Sequence, residues 1–260
     1  MFPGFQTFPE GQIIAFALVL LRLSAFVVSW PIFGSNTIPV QVKILLSLTL
    51  AVVMAPSVQI QNIDLVKIGD EIIFLSIREI AIGLFLGFLL RFIFFAVQIS
   101  GEIIGISTGL ASAQLFNPMM GNQGNVYEQF YVALATLLVL ALNGHHMFIE
   151  GISKSFELAP IASIGLNTQA FTSIASLVSE TFLIGLKMSA PIMAAMLVVN
   201  VTMGLVGRAV PQINVMMTGM QVTIIVGFFI FIITVPMFIE EVNVMLMTMA
   251  DKVIMAMKVI

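Results

Sequence analysis

The stretch Ile72–Val97, IIFLSIREIAIGLFLGFLLRFIFFAV, decides the class of fold. Its ionisable side chains are Arg78, Glu79 and Arg91, and it is longer than the roughly 20 helical residues that cross a bilayer's hydrocarbon core. Apolar residues run continuously without alternating, so the period of two expected of a barrel strand is absent. Away from water the backbone has to satisfy its own hydrogen bonds, and a helix does so within one segment.

Working outward, further apolar segments lie at Ile13–Trp30, Ile44–Val58, Val126–Ile149, Phe171–Val199 and Val215–Ile239. The segment ending at Val58 is short for a span and contains Pro56. A last stretch, Phe238–Ile260, carries Glu241, Thr248, Asp251, Lys252 and Lys258 at helical spacing, which predicts a C-terminal amphipathic helix, partly exposed. Turn-forming residues separate the segments: Pro31, Gly34 and Pro39, the polar connector Gln59–Gly69, the Gly/Asn-rich Asn117–Asn125, then Pro160, Gly165 and Asn167, and finally Pro211. Pro191 falls inside the fifth segment and predicts a kink or break there. The expected fold is an all-α, membrane-type bundle of about six long, partly broken apolar helices in hairpins, plus the C-terminal amphipathic helix.

Composition agrees. Of 260 residues, 60% are hydrophobic and 9% charged, against about 25% charged in soluble domains. The mean hydropathy is +1.13. A net charge of −3 without a basic run gives nothing for nucleic acid to bind. The absence of cysteine removes disulfides, thiolate metal sites and cysteine nucleophiles. The apolar N-terminus has no basic n-region, its first basic residue being Arg22, so the first segment is expected to be retained. If all six segments spanned, one side would hold Lys67, Lys154, Lys252 and Lys258 and the other Lys43, Arg91 and Arg208. Four against three orients nothing, and the near-tie suggests hairpins or broken elements buried in an assembly.

Several patterns invite a functional reading. Gly101, Gly105, Gly109 and Ala113 repeat at a spacing of four, as do Gly83 and Gly87 one segment earlier. Such strips let another backbone come close, either within the chain or from a neighbouring subunit. The loop that follows, LFNPMMGNQGN from Leu115 to Asn125, combines residues that tolerate positive φ with deformable methionines. It reads equally as a surface turn or as a plug over a cavity. Arg22, Arg78, Glu79, Arg91 and Lys187 are costly inside apolar segments. Interhelical or intersubunit pairing is favoured for them over a proton path, because no two carboxylates have a relay spacing. His146 and Glu150 are four apart, but two histidines in the chain and no HExxH argue against a metal site. No GxSxG or phosphate loop occurs, and neither an enzyme nor a cofactor is expected. The 18 methionines are read as apolar filler.

A longer-range pattern runs through most of the chain. It comprises Arg22, Pro31-Ile-Phe-Gly34, Ile38-Pro39 and Lys43, then Arg78-Glu79 with Gly83 and Gly87. It continues with Gly101-Glu-Ile-Ile-Gly105, Gly109, Asn117-Pro118, Asn143-Gly-His-His146, Ser155-Phe156 and Pro160. It ends with Ala190-Pro191, Asn200, Gly204, Arg208 and Pro211-Gln-Ile-Asn214. In order and spacing this resembles the FliR family of the flagellar type III export apparatus, whose injectisome counterparts share the plan. The Asn-Gly-His and Arg-x-x-Pro-Gln-x-Asn stretches are the more flagellar ones.

The resemblance implies a function. Members of that family join FliP and FliQ in a hetero-oligomeric pore, the export gate through which unfolded flagellar proteins leave the cytoplasm. FlhB, FlhA and basal-body rod and ring proteins are further implied partners, together with membrane lipid. The implied location is the bacterial inner membrane, within the flagellar basal body. Residues 1–165 would form a FliP-like part and residues 166–260 a FliQ-like hairpin. The implied pore plug maps onto Gly105, Gly109, Phe116, Asn117, Pro118, Met119, Met120 and Gly121. Subunit packing would fall to Gly83, Gly87, Gly101, Ala113, Arg78, Glu79, Arg208, Pro211 and Asn214. The rival expectation is a stand-alone secondary transporter or channel with its site at the broken fifth helix.

Overall fold

The computed structural model describes residues 10–35, 37–58, 65–110, 125–161, 169–212 and 214–257. Every regular element among them is helical. Helix α1 is Glu10–Ser29, and α2 is Val40–Met54 followed by a 3₁₀ turn at Ala55–Ser57. Next come α3 (Leu65–Ser107), α4 (Val126–Ala141), α5 (Gly144–Leu158), α6 (Gln169–Ala209) and α7 (Val215–Met257).

Helix ends follow local chemistry. Helix α3 stops where Gly109 takes φ +78, the left-handed conformation in which glycine closes a helix without a Cβ clash. Helix α4 starts at Asn125, whose side chain accepts a hydrogen bond from the Glu128 backbone N–H at 3.0 Å. The expected single segment Val126–Ile149 is instead two helices, α4 and α5, separated by a bend. The bend sits at Asn143, which holds φ 57 ahead of Gly144. Asparagine is among the few side chains that visit this region readily.

Two expectations are corrected. Phe238–Ile260 is not a separate amphipathic helix: α7 runs unbroken from Val215 to Met257, with Pro236 inside it. Helix α6 likewise continues through Pro191 without a break. Each proline removes one backbone hydrogen bond, but the flanking apolar residues leave the chain no other partner for its backbone groups and the helix resumes.

Among the described residues four helices are long and apolar enough to cross a membrane, or up to five if the bent pair α4–α5 counts as one. Helix α3 has 43 residues and, at about 1.5 Å per residue, is about 65 Å long. That is roughly twice the thickness of a hydrocarbon core.

The chain divides into two compact units, and α3 contributes to both. The first takes in residues 1–91, 145–173 and 248–260. Within it Trp30, which is 1% exposed, packs against Phe26, Phe33 and Phe148. Gly83 and Gly87 bring α3 against α1: a Cβ at Gly83 would strike the Arg22 carbonyl, and one at Gly87 the Ser29 hydroxyl. The second unit takes in residues 92–144 and 174–247. Its centre is an aromatic cluster in which Tyr131 stacks on Phe238 with centroids 4.1 Å apart, while Tyr127 meets Phe228 and Phe231.

Candidate functional site

Within the first unit, the polar centre is Arg22. It is completely buried, and its Nε donates to Glu79 Oε2 at 2.6 Å. Nη1 donates to the Ser155 carbonyl at 3.0 Å and to its hydroxyl at 3.2 Å. Nη2 donates to the Ala159 carbonyl at 2.9 Å, and the Phe156 ring lies 4.3 Å from the guanidinium carbon. The Ser155 carbonyl also accepts from the Ala159 backbone N–H at 2.9 Å, and the carbonyls at this helix end carry the negative end of the helix dipole. A planar fork of five donors suits them and a carboxylate together, which an ammonium does not. One charge therefore joins α1, α3 and the end of α5.

Two more cations are used in the same way. Arg91 Nε donates at 2.7 Å to the carbonyl of Ser29, the last residue of α1. Lys43 Nζ donates at 2.9 Å to the Gly34 carbonyl in the turn before α2. Of the cations Lys43, Arg91 and Arg208, two thus serve as caps inside the fold, which bears directly on the even charge count. The pairing favoured for Arg22, Glu79 and Arg91 is what they make. Arg78 lies next to the pair, half-buried on α3.

In the second unit, α3 meets the start of α4 at a junction built on glycine. A Cβ at Gly101 would collide with the Glu128 backbone, and one at Gly105 with the Asn125 carboxamide. Asn125 is 3% exposed. Its Nδ2 donates to the Gly101 carbonyl at 3.2 Å and to Glu102 Oε2 at 2.8 Å, while Oδ1 caps α4. From α7, Gly227 closes on Thr108, where a Cβ would overlap the Thr108 methyl. Gly101 and Gly105 thus serve packing within the chain. Sequence reasoning passed over Asn125 and Gly227; the available signal for the first was Asn-x-x-Glu ahead of an apolar run. Of the expected plug and packing residues, Ala113 and Phe116–Gly121 lie outside the described residues, whereas Gly105 and Gly109 are described.

Helices α6 and α7 form an antiparallel pair. Lys187 Nζ lies 2.9 Å from both carboxylate oxygens of Glu241, and Met203 is the nearest contact to Gly219. Both pairs are centred on the turn at 210–214. Glu241, expected on an exposed stripe, has a side chain only 16% exposed and neutralises Lys187. Arg208 is exposed in the last turn of α6, where a cation suits the helix dipole. Pro211 and Asn214 are exposed in the turn, and Asn214 Oδ1 accepts from Met217 N at 3.3 Å. The Arg-x-x-Pro-Gln-x-Asn stretch is therefore a helix end, a stop and a helix start. Among the described residues no group of three His, Asp or Glu could hold a metal ion. His145 and His146 have ring centroids 4.2 Å apart at the start of α5.

Much of this pair is bare. In an 18-residue apolar window within Ala175–Ala209 and another within Met217–Met249, 28% and 22% of positions are buried. Phe182, Leu183, Leu197, Ile225, Phe229 and Ile232 are each at least 60% exposed.

The model of the bacterial export proteins, family 1, matches residues 13–249. The chain belongs to this family. Among its relatives, flagellar biosynthetic protein FliR of Bacillus subtilis (strain 168) is 33% identical over 222 residues, 84% of this chain and 85% of that protein. FliR of Escherichia coli (strain K12) is 32% identical over 208 residues, covering 80% and 79%. FliR of Aquifex aeolicus (strain VF5) is 30% identical over 233 residues, covering 88% of each. In family 1 terms, the matched region begins near the start of α1 and ends within α7, so it takes in the Arg22 cluster, the Asn125 junction and the α6–α7 pair alike.

Proposed function

We propose that this chain is a core subunit of the flagellar type III export gate in the bacterial inner membrane, within the basal body. With FliP and FliQ it forms the pore that admits unfolded flagellar proteins, and the connection between α3 and α4 is the plug. Family membership over residues 13–249 supports the export role, and the FliR relatives support the flagellar setting.

The observation that carries the assembly is the bare apolar length of α6 and α7. Their apolar stretches hold 35 and 33 residues, or about 50 Å of helix, whereas a bilayer offers about 30 Å of hydrocarbon. Lipid cannot cover the whole of that surface at any modest tilt, and other apolar helices can. Residues 166–260 act as the FliQ-like hairpin and residues 1–165 as the FliP-like part, with FlhB, FlhA and rod and ring proteins as outer partners. The stand-alone transporter has no break at Pro191 to use as its site.

Co-expression with FliP- and FliQ-like proteins of the same source, mild-detergent purification and mass determination test the assembly. One defined hetero-oligomer is expected, and a chain that remains alone and well folded refutes it. Arg208→Leu is expected to reduce co-purification, and full recovery would count against a partner role for Arg208. Deleting Phe116–Gly121 should leave the assembly intact while the membrane leaks small ions; unchanged conductance rejects the plug.

A further inference from the structure

The 110–124 connection leaves α3 and enters α4 at one junction, and the Asn125 side chain reaches across it. Asn125 Oδ1 accepts from the Glu128 backbone N–H at 3.0 Å, which is the ordinary duty of a helix cap. Aspartate or serine performs that duty as well as asparagine does. The Nδ2 group does something a cap has no need of. It reaches back to α3, donating to the Gly101 carbonyl at 3.2 Å and to Glu102 Oε2 at 2.8 Å. The receiving face is shaped for it, because Gly105 leaves the space that the carboxamide fills and Gly101 lets the Glu128 backbone approach. On the other side Gly227 admits Thr108 one residue before the left-handed Gly109 that ends α3.

We propose that Asn125 is the positioning residue that ties the two ends of the 110–124 connection together through Gly101 and Glu102, so that the last turns of α3 and the first turn of α4 move as one piece. The functional consequence rests on the plug reading above: a loop seals a pore reproducibly only when its base is held at one width. The hydrogen bond to a carboxylate is of the charge-assisted kind, and its loss with the Gly101 bond should raise the open population about tenfold.

The chain has no cysteine, so paired spin labels at Ile106→Cys and Val126→Cys, both exposed positions, report the junction in the purified complex without further changes. The unaltered junction should give one narrow distance distribution. Asn125→Ser and Asn125→Asp both keep a capping oxygen and should both broaden it. Asn125→Asp combined with Glu102→Gln should narrow it again, since a carboxamide at 102 then donates to a carboxylate at 125. Narrow distributions in both single variants would reduce Asn125 to a cap and overturn the tie. Broadening by Asn125→Asp alone would also overturn it, as simple repulsion from Glu102. Co-purification of the whole complex checks folding in each case. In parallel, ion leak through membranes carrying the complex should rise in both single variants and fall in the double variant. If deletion of Phe116–Gly121 leaks nothing, the plug reading fails by itself and the label distances still decide the tie. If the deletion leaks but the single variants stay tight, Asn125 does not position the plug.

Discussion

Replacing Glu79 with leucine should strand the Arg22 charge in the middle of the first unit. Both side chains are 0% exposed and their contact is 2.6 Å. Removing one partner of a buried ion pair costs about 3–5 kcal/mol, because the surviving charge keeps its desolvation penalty. Arg22 retains the Ser155 and Ala159 carbonyls and the Phe156 ring, so the lower end, about 3 kcal/mol, is expected, or about 100-fold in the folded ratio. Glu79→Gln keeps an acceptor of the same shape and should cost about 1–2 kcal/mol. Arg22→Met with Glu79→Leu removes both charges and fills the space with apolar atoms. Its expected cost is about 1–2 kcal/mol, arising from the hydrogen bonds that the Ser155 and Ala159 carbonyls lose. The double variant should therefore be about 1–2 kcal/mol more stable than Glu79→Leu alone, and with Arg22→Met alone as the remaining member of the cycle the single losses should not add. Denaturant titration of the purified protein in mild detergent, followed by helical circular dichroism, measures all four members of the cycle. Additive losses, or a Glu79→Leu protein as stable as the parent, would refute the claim that this pair carries charge into the core.

Gly87→Leu should prevent α3 from seating on α1, since even a Cβ there would overlap the Ser29 hydroxyl; low yield of folded protein beside normal expression checks it. Asn143→Val should cost about 1–2 kcal/mol through its left-handed backbone, whereas Asn143→Gly should be nearly neutral in the same titration. Lys187→Glu should separate α6 from α7 by repulsion at Glu241, and the exchange Lys187→Glu with Glu241→Lys should restore the pair. Cross-linking yield between cysteines placed on the two helices reads both, and an exchange no better than the single change would refute the contact.

The residues of Ile72–Val97 and their apolar counterparts decided the helical, membrane-type class by themselves, because a long apolar run away from water has one way to satisfy its backbone. Local chemistry was legible in part: Pro211 marked a turn, whereas the break at Asn143-Gly144 falls inside what reads as one apolar segment, although asparagine before glycine is a local signal for it. Helix ends depend on residues within a turn of each other, so they can be read from neighbours. The polar centre could not be found that way. Arg22, Glu79 and Ser155 were each conspicuous, yet their meeting joins positions 57 and 133 residues apart, and periodicity has no term for such distances. The same holds for Gly105 receiving Asn125 and for Gly227 receiving Thr108. Whether Pro191 and Pro236 interrupt their helices also lay beyond sequence. One missing hydrogen bond is a local cost, and the packing and solvent around the whole helix decide whether it is tolerated.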